Sequence, residues 1–305
     1  MIVVVGESLV DVFDDPERPE QHRETVGGSP LNVATTLAGL DVPTLLVTEV
    51  GHDERGERIV AQVEASGAEL VAAPSLTGRT ATATVTLVAG EASYDFDIGW
   101  TLPHQELPAC DALHVGSLGT VLEPGRDSVL DLVEQAWARD VFVSYDPNIR
   151  APLVADPKQT WRDVESLAAR AHLVKLSDQD AAVLHAGADP EDIARSLLQG
   201  DRTEMVLLTL GAGGAVGFVG DLAVRVPALE VDLVDTVGAG DAFMAACLAV
   251  LLEDSAFDNY GGGVPTDAER LERMLRAAVE VAGITCSRRG AAAPTRPELR
   301  SDWPA

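Results

Sequence analysis

The stretch LVDTVGAGDAFMAACLAVLLE, residues 233–253, sets three small residues and an acid, Gly238-Ala239-Gly240-Asp241, before a long apolar run. The run predicts a helix over 240–253, apolar on every side and therefore buried. A helix starts with N–H groups that have no partner inside it and with a partial positive charge. Glycines there let an anion come close to the backbone. Gly238, Ala239 and Gly240 thus read as an anion hole. Asp241 then reads as an acid able to orient and deprotonate a hydroxyl aimed at a bound phosphate. The same spacing also suits an Asp that only complements a helix N-terminus.

Around this helix the chain alternates strands and helices. Ile2–Val5 is a buried strand run, and Ser29-Pro30 offers an N-cap with Pro at the first helical position. PTLLVTEVG is a second strand, and the next helix runs from Asp53 to a closing Gly67. ALHVGSL, VFVSYDPN, HLVKLS and MVLLTLG are further strands. They are separated by helices at 128–138 and 161–171, and others start at Asp178 and Pro190. A last helix over 267–285 opens with a capping box, Thr266 to Glu269. Residues 254–265 read as a flexible surface loop. The alternation implies one α/β domain with a doubly wound, mostly parallel sheet flanked by helices. Residues 80–98 break it: Thr82, Thr84 and Thr86 alternate with apolar residues, as in an antiparallel hairpin with one wet face. That hairpin suggests a small lid, built from segments 12–25 and 79–99.

Composition narrows the partners. The chain has 305 residues, 46% hydrophobic, with a formal net charge of -27. Such a field repels nucleic acid and anionic membranes, and with 4% aromatic residues stacking platforms are scarce. Any phosphate must be held by a local device, which backbone dipoles supply without a lysine. Cys110, Cys247 and Cys286 form no CxxC pair and read as buried, reduced thiols. MIVVVGESLVD has no basic leader and too short an apolar run for an anchor, so a soluble, cytoplasmic protein is expected. TLGAGGAVG, with Gly211, Gly213 and Gly217, imitates a dinucleotide fingerprint. A hairpin around Gly220-Asp221 follows it instead of a helix, which excludes a Rossmann oxidoreductase.

DTVGAGDAF resembles the C-terminal signature of the PfkB (ribokinase-like) family of sugar and nucleoside kinases. VGGSPLNVATTLAGL with VGHDERGERI resembles its N-terminal signature, and DPNIR, VKLSDQD, LTLGAGG and GAAAPTRPE extend the match along nearly the whole chain. The resemblance implies ATP as co-substrate, a sugar as acceptor and Asp241 as catalytic base. It implies that Asp11, Gly27, Gly28 and Asn32 bind the sugar, a carboxylate and an amide holding neighbouring hydroxyls. Lys175, Ser177, Thr209, Gly211 and Gly214 are implied as nucleotide contacts, and Val279, Ala282 and Gly283 as an adenine wall, although a core stripe would look the same. Where the family often has Asn-x-x-Glu to organise magnesium, this chain has Ser177 and Asp180, so Asp180 is expected to reach Mg2+ through water. Ser-x-x-Asp is also close to a helical capping box.

GGSPLN and DPNIR look more like a fructokinase or a 2-keto-3-deoxygluconate kinase than a ribokinase-type member with GGKGAN. Arg150 could meet a substrate oxygen, a carboxylate or the ATP phosphates, or be a surface ion-pair partner; Arg79 opens the lid. Resemblance to ribokinase also allows a monovalent cation such as K+ near Asp235 and Val237, and pairing of lid strands between subunits in a homodimer. A reading from another class is a catalytically inactive sugar- or nucleotide-binding sensor, supported only by the altered Ser177–Asp180 motif.

Overall fold

Strands of four to seven apolar residues are too short and too β-branched to be helices. Buried on both faces, they must lie inside a parallel sheet. The computed structural model describes all residues except 16, 17, 19, 21, 89, 90, 201, 258–262, 301, 302, 304 and 305. In chain order the first half runs β1 (Ile2–Val5), β2 (Leu9–Asp14), β3 (Arg23–Gly27), α1 (Ser29–Gly39), β4 (Thr44–Val50), α2 (Glu54–Ser66), β5 (Glu69–Pro74), β6 (Ala81–Val88), β7 (Glu91–Asp97), β8 (Ala112–Gly116) and α3 (Gly125–Ala138). The second half runs β9 (Phe142–Asp146), α4 (Pro157–Ala168), β10 (Leu173–Ser177), α5 (Asp178–Leu184), α6 (Pro190–Leu197), β11 (Met205–Thr209), β12 (Ala215–Val219), β13 (Leu222–Val226), α7 (Ala239–Glu253) and α8 (Ala268–Cys286).

Nine strands form the main sheet in the order β13-β12-β11-β10-β9-β8-β1-β4-β5. Every pairing from β11 to β5 is parallel, and β12 and β13 add an antiparallel edge. Chain order runs outward in opposite directions from β1 and β8. Their carboxyl ends therefore form the switch-point crevice where α/β sheets bind ligands. One core cluster lies between the sheet and α1, α7 and α8; the other lies on the opposite face with α3, α4 and α6. α7 is buried from Asp241 through Leu251, as its uniform apolarity requires.

A second, smaller sheet is wider than the hairpin expected over 80–98. β2 and β3 join β6 and β7 in a four-stranded sheet, β3-β2-β6-β7, with β2 parallel to β6. The small sheet thus begins at Leu9 and extends to Gly27, outside the 12–25 segment. Val10, Val12 and Val26 anchor one of its faces in the core. Glu24 on β3 accepts hydrogen bonds from Arg55 and Arg58 of α2. Asp53, the N-cap of α2, also accepts from the Thr80 amide at 2.8 Å and its hydroxyl at 2.5 Å.

Other boundaries move for local reasons. α3 starts at Gly125 and α4 at Pro157, because Asp156 caps α4 and Pro fits its first turn. β5, absent from the sequence reading, is an edge strand without clear alternation. α8 is capped by Asp267, which accepts from the Arg270 amide, rather than by Thr266. In the expected surface loop Ala256 and Phe257 are buried, Phe257 packing 4.7 Å from the Phe142 ring; residues 258–262 lie outside the described set. Cys247 is buried, but Cys110 and Cys286 are only half-buried. Among the described residues no helix is long and apolar enough to cross a membrane.

Candidate active site

The α7 mouth forms at Gly238, whose φ of 76° lies in the left-handed region. A Cβ there would overlap Ala291, so the turn requires glycine twice over. The Ala239 amide reaches the Thr236 carbonyl only at 3.3 Å. Among the described residues the Gly240 and Asp241 amides have no protein acceptor. These amides give the mouth the donors an anion needs.

Asp241 is buried beside them and does not cap its own helix. Its Oδ1 accepts from the Ser29 hydroxyl at 2.6 Å and from Asn148 Nδ2 at 3.4 Å; its Oδ2 accepts from Asn32 Nδ2 at 2.8 Å. Ser29 was expected to cap α1. The N-cap is instead Gly28, and the Ser29 side chain turns inward to a carboxylate 212 residues away. Sequence reasoning missed Ser29 for that reason. Asn32 holds the acid rather than only facing the sugar side, and its buried Oδ1 has no protein partner.

A lysine stands at the helix mouth, although the charge argument asked only for backbone dipoles there; it is Lys175, one of the expected nucleotide contacts. Lys175 Nζ lies 3.1 Å from where a Cβ on Gly240 would sit, and it pairs with Asp146 Oδ2 at 2.7 Å, both groups buried. Burial alone would depress the Lys175 ammonium, but Asp146, Asp180 and Asp241 together hold its pKa above the ordinary value. Burial raises Asp146 to about 6, against the pull of Lys175. Both groups are therefore charged at neutral pH, and most of the lysine's charge is answered inside the protein.

Asp180 takes part in the capping box at α5. Its Oδ2 accepts from the Ser177 amide at 2.8 Å and from the Ser177 hydroxyl at 2.5 Å, while its Oδ1 accepts from the Ile149 amide at 2.6 Å. Both oxygens of Asp146 are also engaged, Oδ1 by the Asn148 amide at 3.1 Å. Asp146 and Asn148, which sequence reasoning passed over within DPNIR, therefore belong to the site. Among the described residues no three His, Cys, Asp or Glu side chains converge as a metal cage. Among the described residues no direct magnesium ligand set is formed.

Across the crevice Asp11 stands on β2, open to the cleft at its tip yet walled closely enough that desolvation lifts it to about 6; Arg150 opposes that shift and Asp241 adds to it. A Cβ on Gly27 would overlap the Asp11 carboxylate, and one on Gly28, at φ 107°, would lie 2.6 Å from the Glu7 carbonyl. The paired glycines thus let β3 and the start of α1 press against the crevice floor. Arg150 donates from Nη1 to Asn148 Oδ1 at 2.6 Å. Glu7, at the end of β1, is pushed up to about 7 by burial, although Ser117, the Gly119 amide at 2.9 Å and Arg150 all favour its charge.

The residues expected to contact the nucleotide lie at the end of β11, in the turn before β12 and on α8. Thr209 ends β11, and Gly211 to Gly213 form a single tight turn before the β12–β13 hairpin, as the sequence required. Space is open around Gly211, whereas a Cβ on Gly214 would overlap the Val226 carbonyl, so Gly214 serves the hairpin base. A Cβ on Gly283 would lie 2.8 Å from Leu229, while Val279 packs on the core. Leu229, Leu233, Val234 and Val237 are large apolar residues left exposed on the segment leading into α7. Leu229 adjoins Gly283 and the Val234 amide donates to the Cys286 carbonyl at 2.9 Å, so this exposed segment, which the sequence reading did not pick out, runs beside α8. Asp235 ties this segment to the Gly290 amide at 2.9 Å and to the Val237 amide at 3.1 Å.

Free amides at a half-buried helix mouth, with a gripped, buried carboxylate beside them, suit transfer of a phosphoryl group to a hydroxyl, a reaction that asks mainly for positioning and charge stabilisation. The pfkB family carbohydrate kinase profile matches residues 1–298. The chain belongs to that family of kinases. It is 33% identical over 266 residues to a fructokinase of Rhizobium leguminosarum bv. trifolii, covering 84% of this chain and 81% of the relative. Its fold is similar to that of a fructokinase with bound ATP from Xylella fastidiosa, with a TM-score of 0.82, 25% identity, and 97% of this chain and 96% of that one covered. It is also similar to a Vibrio cholerae O395 fructokinase in a fructose-, ADP- and calcium-bound form, with a TM-score of 0.80, 24% identity, and 95% and 94% covered.

Proposed function

We propose that the protein is an ATP-dependent fructokinase in which Asp241 is the base. The observation that carries this reading is the placement of Asp241. It lies beside amides with no protein acceptor, and Asp11 and Arg150 stand across the crevice. On this reading the adenine lies along the exposed strip from Leu229 to Val237, next to Gly283. Its terminal phosphate meets the Gly238–Asp241 mouth, with Thr209 and Gly211 on the flank. The sugar lies against Gly27 and Gly28, with Asp11, Asn32 and Arg150 on its hydroxyls. Asp241 takes the proton of the hydroxyl as that oxygen attacks the phosphorus in line. Magnesium entering with ATP would supply charge neutralisation, while Asp180 and Lys175 hold the loop and the mouth.

The small sheet is proposed as a lid that shuts water out over the sugar, with a homodimer through its strands and a monovalent cation near Asp235 as further elements. A cytoplasmic location goes with a soluble sugar and ATP as partners. The test is a coupled ADP-release assay with fructose, 2-keto-3-deoxygluconate, ribose and nucleosides. The expected result is the highest kcat/KM on fructose. Preference for 2-keto-3-deoxygluconate would move the assignment, and ADP release that no sugar stimulates would overturn it.

A further inference from the structure

Asn148 joins two groups that the proposed reaction uses separately. Its backbone has φ 40°, in the left-handed region that a non-glycine residue rarely occupies. Two buried carboxylates pin it there: the Asn148 amide donates to Asp146 Oδ1 at 3.1 Å, and the Ile149 amide donates to Asp180 Oδ1 at 2.6 Å. Lys175 in turn fixes Asp146. A sparsely populated conformation that its surroundings over-determine in this way is found mostly at functional positions.

The side chain spans the gap between the acid and the acceptor side. Its Oδ1 accepts from Arg150 Nη1 at 2.6 Å, and its Nδ2 donates to Asp241 Oδ1 at 3.4 Å. The amide orientation follows from the partners, since a guanidinium only donates and an ionised carboxylate only accepts. Ser29 and Asn32 hold Asp241 firmly, at 2.6 and 2.8 Å, so the Asn148 contact is the loosest of the three. An incoming hydroxyl can replace that contact without releasing the carboxylate.

We propose that Asn148 is a positioning residue that couples acceptor binding at Arg150 to the aim of the Asp241 carboxylate. The proposal rests on the reading of Asp241 as base and Arg150 as acceptor contact. An acceptor oxygen that draws Arg150 turns the amide with it and frees one lone pair of Asp241 for the hydroxyl proton. The acceptor class is a polyol or sugar with a second oxygen, hydroxyl or carboxylate, within reach of Arg150.

Two variants separate the two arms of the bridge. Asn148→Asp keeps an oxygen for Arg150 but puts an acceptor where Asp241 needs a donor. Asn148→Gly removes both arms and relaxes the left-handed backbone. Steady-state kinetics with fructose and ATP, together with thermal melting, read the outcome. For Asn148→Asp the expected result is kcat lowered about tenfold or more, with the fructose KM within about threefold of the parent. For Asn148→Gly it is a similar kcat loss with the fructose KM raised about fivefold or more, the ATP KM unchanged and the Tm equal or higher. The proposal is overturned if both variants keep kcat within about twofold, if the two raise the fructose KM equally, or if activity only follows a fall in Tm. Should Asn148→Asp not fold, Asn148→Gly alone decides by the same kcat and Tm criteria. A parent enzyme that releases no ADP with any sugar sinks the kinase reading itself, whereas an active parent with indifferent variants sinks only the role of Asn148.

Discussion

Asp180 and Asp241 hold the same position, third residue of a helix, and have opposite roles. In α5 the N-cap is Ser177, which donates its amide and hydroxyl to Asp180 while accepting from the Asp180 amide. That reciprocal box satisfies the helix start and consumes the acid. In α7 the N-cap is Gly238, which has no side chain to give. Asp241 is therefore left out of its own helix and is gripped by Ser29, Asn32 and Asn148 instead. The amides behind it stay open for an anion. One N-cap residue thus decides whether an acid is consumed by its own helix start or left to distant partners.

The strongest test of this contrast is Asp241→Asn. Turnover with saturating fructose should fall about 10²–10⁴-fold, the usual cost of losing a general base. A loss of less than about tenfold would put Asp241 in the same structural class as Asp180.

Giving α7 the serine cap of α5 comes next. Gly238→Ser must strain a residue at φ 76° and push its Cβ into Ala291. We expect kcat/KM for ATP to fall roughly tenfold or more, with a lower Tm. Parent-like ATP kinetics would show that the mouth geometry is not what separates the two helices.

Asp180→Ala should act mainly on the fold. It removes the capping box and the tie to Ile149, a loss of about 1–3 kcal/mol, which lowers Tm by roughly 2–5 °C. The magnesium concentration for half-maximal activity should stay where it is. A marked rise in that requirement would return Asp180 to the metal.

The smallest effect concerns pH. Burial lifts Glu7 to about 7, so between the ordinary carboxyl range and pH 7 the folded chain holds a proton that the unfolded chain has lost. The contribution of Glu7 to stability is complete at low pH and is lost as pH rises through about 7. Glu7→Gln keeps an oxygen for the Gly119 amide and should flatten that slope, gaining stability over the parent at pH 8 in urea titrations. An unchanged slope between pH 5 and pH 8 would assign the titration to other groups.

Much of this was legible before folding. The all-apolar run after Asp241 announced a buried helix, the Thr alternation at 82–86 announced a strand, though not the wet Thr face expected of it, since Thr82 is buried, and the hairpin after Gly217 ruled out a dinucleotide fold. These are local patterns, set by residue spacing. The site was harder. Ser29-Pro30 has the composition of a cap, and nothing nearby reveals that its hydroxyl points to an acid on α7. Asn148 carries no mark of its φ, since Asn tolerates both conformations. The SDQD run admitted both the metal and the capping reading, and only the position of Ile149 shows where the second oxygen goes.

Sequence alone therefore determined the alternation of strands and helices, the buried character of α7, the glycine-built mouth and the family. Each of these follows from periodicity or from residues adjacent in the chain. Tertiary structure decided which acid became available, which hydroxyl and amides hold it, and that Lys175 stands beneath the mouth with its charge answered by Asp146. Those choices depend on side chains up to 212 residues apart meeting at the ends of neighbouring strands and helices. No short-range pattern encodes such a meeting, because the sheet order that brings them together is set by the packing of the whole core.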